Sequence, residues 1–170
     1  MKPSIKGTTL TFTVNPLLKI RGVANYQFGG DIGESLFPDE CKIQFSRRTG
    51  RIRYISIKEK LLAVIRARDG RIVLTFWGAQ RLHQATQPPR HRVMIRNEIS
   101  PFITKGRSVF AKHVIQVDPQ LRARDEALIV DQDDKLLAVG KTYLCPQEML
   151  DLTRGTAVRI RHTRKSAGSS

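Results

Sequence analysis

The stretch SPFITKGRSVFAKHVIQV, residues 100–117, decides how the chain is read. Ser100-Pro101 is a helix opening, with a capping hydroxyl followed by a residue whose fixed φ suits the first turn. Phe102 and Ile103 continue the turn, and Gly106 closes it at the C′ position, where a left-handed backbone favours glycine. Val109 to Val117 then extends again. Upstream, His91 to Arg96 reads as a strand. Downstream, Leu128-Ile129-Val130 and Leu136 to Leu144 form a hairpin across a polar turn at Asp131 to Asp134. Pro146 to Arg154 is a helix that Gly155 terminates, and Ala157 to Arg161 is the last strand. Residues 164–170 are small and polar, the composition of a disordered tail.

Gln87-Pro88-Pro89-Arg90 breaks all regular structure, so a domain boundary is expected there, with one domain over 1–88 and a second over 89–163. The first half is α+β. Thr8 to Val14 alternates as a strand, and Asn15-Pro16 caps a helix with Leu17, Ile20, Ala24 and Phe28 on one face, stopped by Gly29-Gly30. Ile43 and Phe45 pair with Ile52 to Ile57 across Thr49-Gly50. Leu62 to Arg68 pairs with Arg71 to Phe76 across Asp69-Gly70, the composition of a two-residue type I′ turn. Residues 77–86 look helical.

The chain carries 30 Lys and Arg against 15 Asp and Glu in 170 residues, a net charge of +15. Residues 42–113 hold 17 basic and three acidic side chains, so nearly all the excess lies in one central segment. Such a concentrated field suits a polyanion. Strand alternation places Arg51 with Arg53, Arg66 with Arg68, and Arg159 with Arg161 on shared faces, with Ile52, Ala67 and Ile160 pointing the other way. Arg meets phosphate bidentately and stacks on bases, which makes a nucleic acid the expected partner. The basic residues sit on strands without an amphipathic helix, which disfavours a membrane partner. No apolar run long enough for a bilayer span or a signal peptide is present, which implies a cytoplasmic protein.

Catalytic and metal chemistry find no support in the residues. His83, His91, His113 and His162 lack ligand spacing and are assigned surface or phosphate-adjacent roles. Cys41 and Cys145 form no CxxC pair and read as reduced thiols, with a disulfide between them as the alternative. No P-loop, nucleophile elbow or paired carboxylates occur, so no catalytic residue, metal or cofactor is expected.

The segment Lys105 to Val114, together with Asp118-Pro119-Gln120-Leu121-Arg122-Ala123-Arg124-Asp125, the acidic turn Asp131 to Asp134 and Val139-Gly140, resembles the PUA domain, a pseudo-barrel of short strands with short helices. The first half resembles the domain preceding PUA in archaeal tRNA-guanine (archaeosine) transglycosylases, through Arg21 to Gly29 and Ser35-Leu36-Phe37-Pro38. The implied fold is an α+β domain followed by a PUA-type β pseudo-barrel. The resemblance implies an RNA groove at Lys105, Gly106, Arg107, Ser108, Val109, Phe110, Ala111 and Lys112, with Arg159 and Arg161 beside it, and tRNA acceptor stem and 3′ end as the ligand. Phe110 either stacks a base or lies in the core. The catalytic barrel of the transglycosylases has no counterpart in the sequence. The implied function is therefore RNA binding without catalysis, in RNA modification or translation, with a separate catalytic subunit as the alternative.

Overall fold

The computed structural model describes residues 15–167; the strand expected over Thr8–Val14 lies outside them. Helix α1 (Pro16–Phe28) begins where the Asn15 side chain accepts the Leu17 amide at 2.9 Å, and it ends at Gly29, whose φ is +78°. Its buried face is Ile20, Ala24 and Phe28. A short α2 (Ile32–Leu36) leads into an antiparallel meander of β1 (Lys42–Phe45), β2 (Ile52–Ile57), β3 (Lys60–Ile65) and β4 (Ile72–Leu74).

The loop at Asp69-Gly70 differs from the expected two-residue turn. The Arg66 amide donates to the Arg71 carbonyl, and the Gly70 amide donates back to the Arg66 carbonyl, so four residues, 67–70, make the loop. A type I′ turn needs positive φ at both central residues. Here only Gly70 has it, at +69°. The β1–β2 loop repeats this pattern with Ser46, Gly50 and Arg51. Helix α3 (Phe76–Ala85) follows, its N-terminus capped by Thr75, and Gly78 brings it close against the Leu62 carbonyl.

The second half comprises β5 (Arg92–Ile95), α4 (Ser100–Ile103), β6 (Val109–Phe110), β7 (Val114–Val117), β8 (Glu126–Val130), β9 (Leu136–Thr142), α5 (Pro146–Asp151), β10 (Thr156–Thr163) and α6 (Arg164–Ala167). Its strands form a nearly closed mixed sheet in the order β6-β10-β9-β8-β5-β7, with only β5 and β8 parallel. The pseudo-barrel is as expected. Three details differ. A 3-10 turn at Ala111–His113 interrupts the extended stretch 109–117, α5 ends at Asp151 instead of Arg154, and residues 164–167 of the supposed tail form a helical turn. That turn is tied by reciprocal bonds between Thr163 and Ser166.

The two halves share a core. All five residues of β8 are buried. Leu128 and Val130 pack with Ile20, Phe28, Leu74 and Leu82 of the first half, whereas Ala127 and Ile129 face the barrel interior with Val93 and Val158. Period-two alternation thus makes one strand the wall of both cores. Beside it lies Arg92, 3% exposed, with all five N–H donors engaged. Nε meets Asp134 at 2.6 Å; Nη1 meets the Arg90 carbonyl and Thr86 Oγ1; Nη2 meets the His83 and Thr86 carbonyls. The guanidinium of the barrel thereby caps the C-terminal end of α3 in the first half, where cations are favoured by the helix dipole.

Candidate nucleic-acid interface

Helix α4 ends in a Schellman pattern: the Gly106 amide donates to the Ile103 carbonyl at 2.8 Å and the Arg107 amide to the Phe102 carbonyl at 3.2 Å. Gly106 has φ +88°, and nothing lies within 4 Å of where a Cβ would stand, so the backbone is open to a ligand. Lys105 and Arg107 are exposed beside it and Ser108 is half-buried. Beyond that point the side chains alternate. Val109 and Ala111 enter the barrel core, while Phe110 and Lys112 point out. For Phe110 the two readings are resolved in favour of the surface, with 47% of it exposed. Strand β6 is fixed by pairing with β10, Phe110 opposite Thr156 and Val109 opposite Val158, and by the Ala111 amide on the Gly155 carbonyl.

Of the two β10 arginines, only Arg159 is exposed at this surface. It stands opposite Lys141 on β9, and its guanidinium beside the Tyr143 phenol lowers the tyrosine's pKa. Lys141 and Tyr143 were not singled out from sequence; their i, i+2 spacing at the end of β9 is the signal that could have found them. Arg161 departs from the expected stripe. A bulge between Ile160 and His162 breaks the alternation, and Arg161 turns in to Glu126, Nη1 to Oε1 at 2.5 Å. Burial pushes the Glu126 carboxyl up to about 7, against the pull of Arg161 and, more weakly, of Arg66 and Arg71. Gly140 makes room for this path of β10, because a Cβ there would collide with the Arg159 carbonyl.

The other basic group lies at the tips of the β1–β2 and β3–β4 hairpins, which share one end of the meander. Arg47, Arg48, Arg51, Arg53 and Arg68 are exposed there. Arg53 lies 5.5 Å from the Tyr54 ring centroid. The expected pairing of Arg66 with Arg68 on one strand face is not found. Arg66 precedes the four-residue loop and Arg68 lies within it, Ala67 is exposed, and Arg66 is tied to Asp69 at 3.1 Å. Arg71 reaches across to Asp125 at 2.7 Å, joining this hairpin to the barrel. Arg47 and Arg48 entered the sequence reading only as part of the central charge excess.

Among the histidines, His91 is buried, not surface-lying: its Nε2 is 2.9 Å from the Phe28 carbonyl and its ring sits edge-on to Phe28. Burial lowers its pKa. His83 Nε2 lies 2.8 Å from the Asp134 carbonyl. Both serve the junction between the halves. Cys41 and Cys145 are free and half-buried, and burial raises the Cys41 thiol to about 11. No described helix is long and apolar enough to cross a membrane.

Comparison with known proteins matches residues 19–89 to the patch-forming domain C2 of tRNA-guanine transglycosylase and residues 91–164 to the PUA domain. The tRNA-guanine(15) transglycosylase of Methanothermobacter thermautotrophicus is 50% identical over 149 residues, which are 88% of this chain and 23% of that protein. That of Thermococcus kodakarensis is 41% identical over 142 residues, 84% of this chain and 24% of that protein. The chain therefore spans about a quarter of the length of these relatives. In fold, it resembles the crystal structure of a hypothetical protein from Pyrococcus horikoshii, with TM-score 0.69 and 18% identity over 91% of this chain and 95% of the other. It also resembles a PUA domain protein from Thermoplasma acidophilum, with TM-score 0.59 and 18% identity over 86% and 87% of the two chains.

Proposed function

We propose, from a chain that belongs to the tRNA-guanine transglycosylase family through a patch-forming C2 domain followed by a PUA domain, that it binds RNA and holds tRNA by the acceptor stem and 3′ end. The observation that carries this reading is the segment Lys105–Lys112, an open glycine turn followed by outward Phe110 and Lys112, held on β10 beside Arg159 and Tyr143. Gly106 admits a sugar-phosphate backbone, Phe110 offers a stacking face, and Arg107, Lys112 and Arg159 neutralise phosphates. Ser108 and the backbones of Val109 and Ala111 supply polar groups between them. Arg51, Arg53 and Arg68 at the hairpin tips form the second phosphate-binding surface. Arg66 and Arg161 support it from within through Asp69 and Glu126.

The chain acts as a binder and not as an enzyme, uses no cofactor, works in the cytoplasm, and divides functionally at residues 88/89. A second reading is favoured by the relatives, which carry the same two domains within far longer transglycosylases: the chain serves as the RNA-gripping part of a separate catalytic chain. Electrophoretic shift with intact tRNA and with tRNA lacking its single-stranded 3′ end tests the first reading. Intact tRNA is expected to bind more tightly to the unaltered protein, and Arg107→Ala is expected to narrow that difference. Equal affinity for the two RNAs refutes it. Guanine exchange by the pure protein refutes the non-enzyme reading, and a stoichiometric transglycosylase on purification from the native host supports the second.

A further inference from the structure

Away from both basic surfaces, at the β2–β3 turn, an open pocket of about 690 Å³ is lined by Lys58, Glu59, Lys60, Trp77, Gln80 and Gln84, among others, its basic side chains, Arg81 included, outnumbering its one acid. Its volume lies in the range of small-ligand sites. Trp77 is the chain's single tryptophan. Gln80 and Gln84 follow it at i+3 and i+7, so one face of α3 presents an indole and two amides together. Neither amide has a partner among the described residues, whereas that of Gln27 is fully used, donating to the Ile72 carbonyl and accepting its amide. Arg81 is anchored to the Ser35 and Leu36 carbonyls and stiffens one wall. Lys60 Nζ sits 3.9 Å from the indole centroid, on the π-face where a planar ring would stack.

We propose that this pocket takes one unpaired nucleotide of the bound RNA, its base stacked on Trp77 and read by Gln80 and Gln84, its phosphate held by Lys60 and Lys58. The proposal rests on the RNA-binding reading and extends it to a third surface. An aromatic face with adjacent amide groups and a mobile cation is the chemistry that recognises an unstacked base. A lysine on an exposed ring is held more weakly than a stacked base, so the exchange of ammonium for base proceeds, and the released Lys60 remains within reach of the phosphate. Continuity supports an RNA occupant. Strand β10 runs from the Phe110 surface into α6, and α6 packs against α3. A strand of RNA leaving the barrel surface along β10 thus arrives at the helix that carries Trp77.

The test is titration of the whole protein with hexa-adenylate, hexa-uridylate and heparin at low salt, following Trp77 emission, with tRNA retention on filters measured in parallel. Both oligonucleotides are expected to quench saturably and heparin is not, because heparin has charge but no bases. The double variant Gln80→Ala/Gln84→Ala is expected to raise the oligonucleotide Kd roughly tenfold, as loss of two ordinary hydrogen bonds implies, and to shrink the difference between the two bases. Arg107→Ala/Lys112→Ala is expected to weaken tRNA retention while leaving the oligonucleotide quench intact. Quenching by heparin as strong as by RNA, a double variant that binds like the original, or retained tRNA without any quench overturns the pocket while leaving the barrel surface standing. Loss of tRNA retention from the unaltered protein overturns the wider reading instead.

Discussion

Replacing Arg92 by alanine removes a guanidinium whose five donors all have partners and whose side chain is buried at the junction of the halves. The carbonyls of His83, Thr86 and Arg90 then lose their donor, and Asp134 keeps a carboxylate that is only 29% exposed. Breaking such a pair from one side costs about 3–5 kcal/mol, dominated by the groups left behind. Total stability of a domain is about 5–15 kcal/mol, so this loss is a large fraction of it. With a urea dependence of about 2 kcal/mol per molar, the unfolding midpoint falls by roughly 2 M. Arg92→Met keeps the stem packing but not the donors, and is expected to lose most of the same amount. Arg68→Ala, at an exposed tip, leaves the midpoint in place. A shift below about 0.5 M for Arg92→Ala would refute the argument that this knot of hydrogen bonds locks the halves together.

Arg107→Ala and Lys112→Ala each flatten the slope of log K against log salt for tRNA by about 0.7 to 0.9, whereas Lys135→Ala, beside Asp131, Asp133 and Asp134, leaves it nearly unchanged; binding isotherms at four salt concentrations check this. Glu126 binds its proton more tightly when folded, at about 7 against an ordinary 4.5. The stability it contributes is complete below pH 4.5 and is lost as pH rises through 7, by about 3 kcal/mol, so Glu126→Gln flattens the decline of urea midpoints across that window. His91, with its lowered pKa, acts in the opposite sense and is common to both proteins. Gly140→Ala forces β10 away at the Arg159 carbonyl and destabilises by about 1–3 kcal/mol, read from thermal unfolding.

Local signals were legible from the sequence. Asn15-Pro16, the glycine at 106 and the strand-forming runs of β2, β3 and β9 each act within a few residues, and the structure has each where those residues demand it. The four-residue loop at 67–70 was not legible, since Asp-Gly serves that loop as well as a type I′ turn and backbone pairing decides between them. Arg161 could not be told from Arg159, because the bulge that turns it inward depends on the fit of β10 over Gly140. Arg92 looked like any other member of a basic segment, and His91 like a surface histidine. Both acquire their roles from partners far along the chain, Asp134 and Phe28. The outward half of the Lys105–Lys112 segment followed from alternation once β6 was fixed. Tyr143 and Trp77 entered only when neighbouring elements were in place.

The strand shared by both cores has a mechanical consequence. Because β8 is a wall of each and Arg92 pins the seam, the arginine tips and the Phe110 surface keep a constant spacing and do not swing on a linker. A rigid bivalent binder loses little freedom at its second contact, so an RNA whose phosphates match that span gains avidity, and one that misses it engages a single surface. If both surfaces take RNA as proposed, such a molecule works as a calliper, discriminating among RNAs by the distance between two points on their fold before it reads any base.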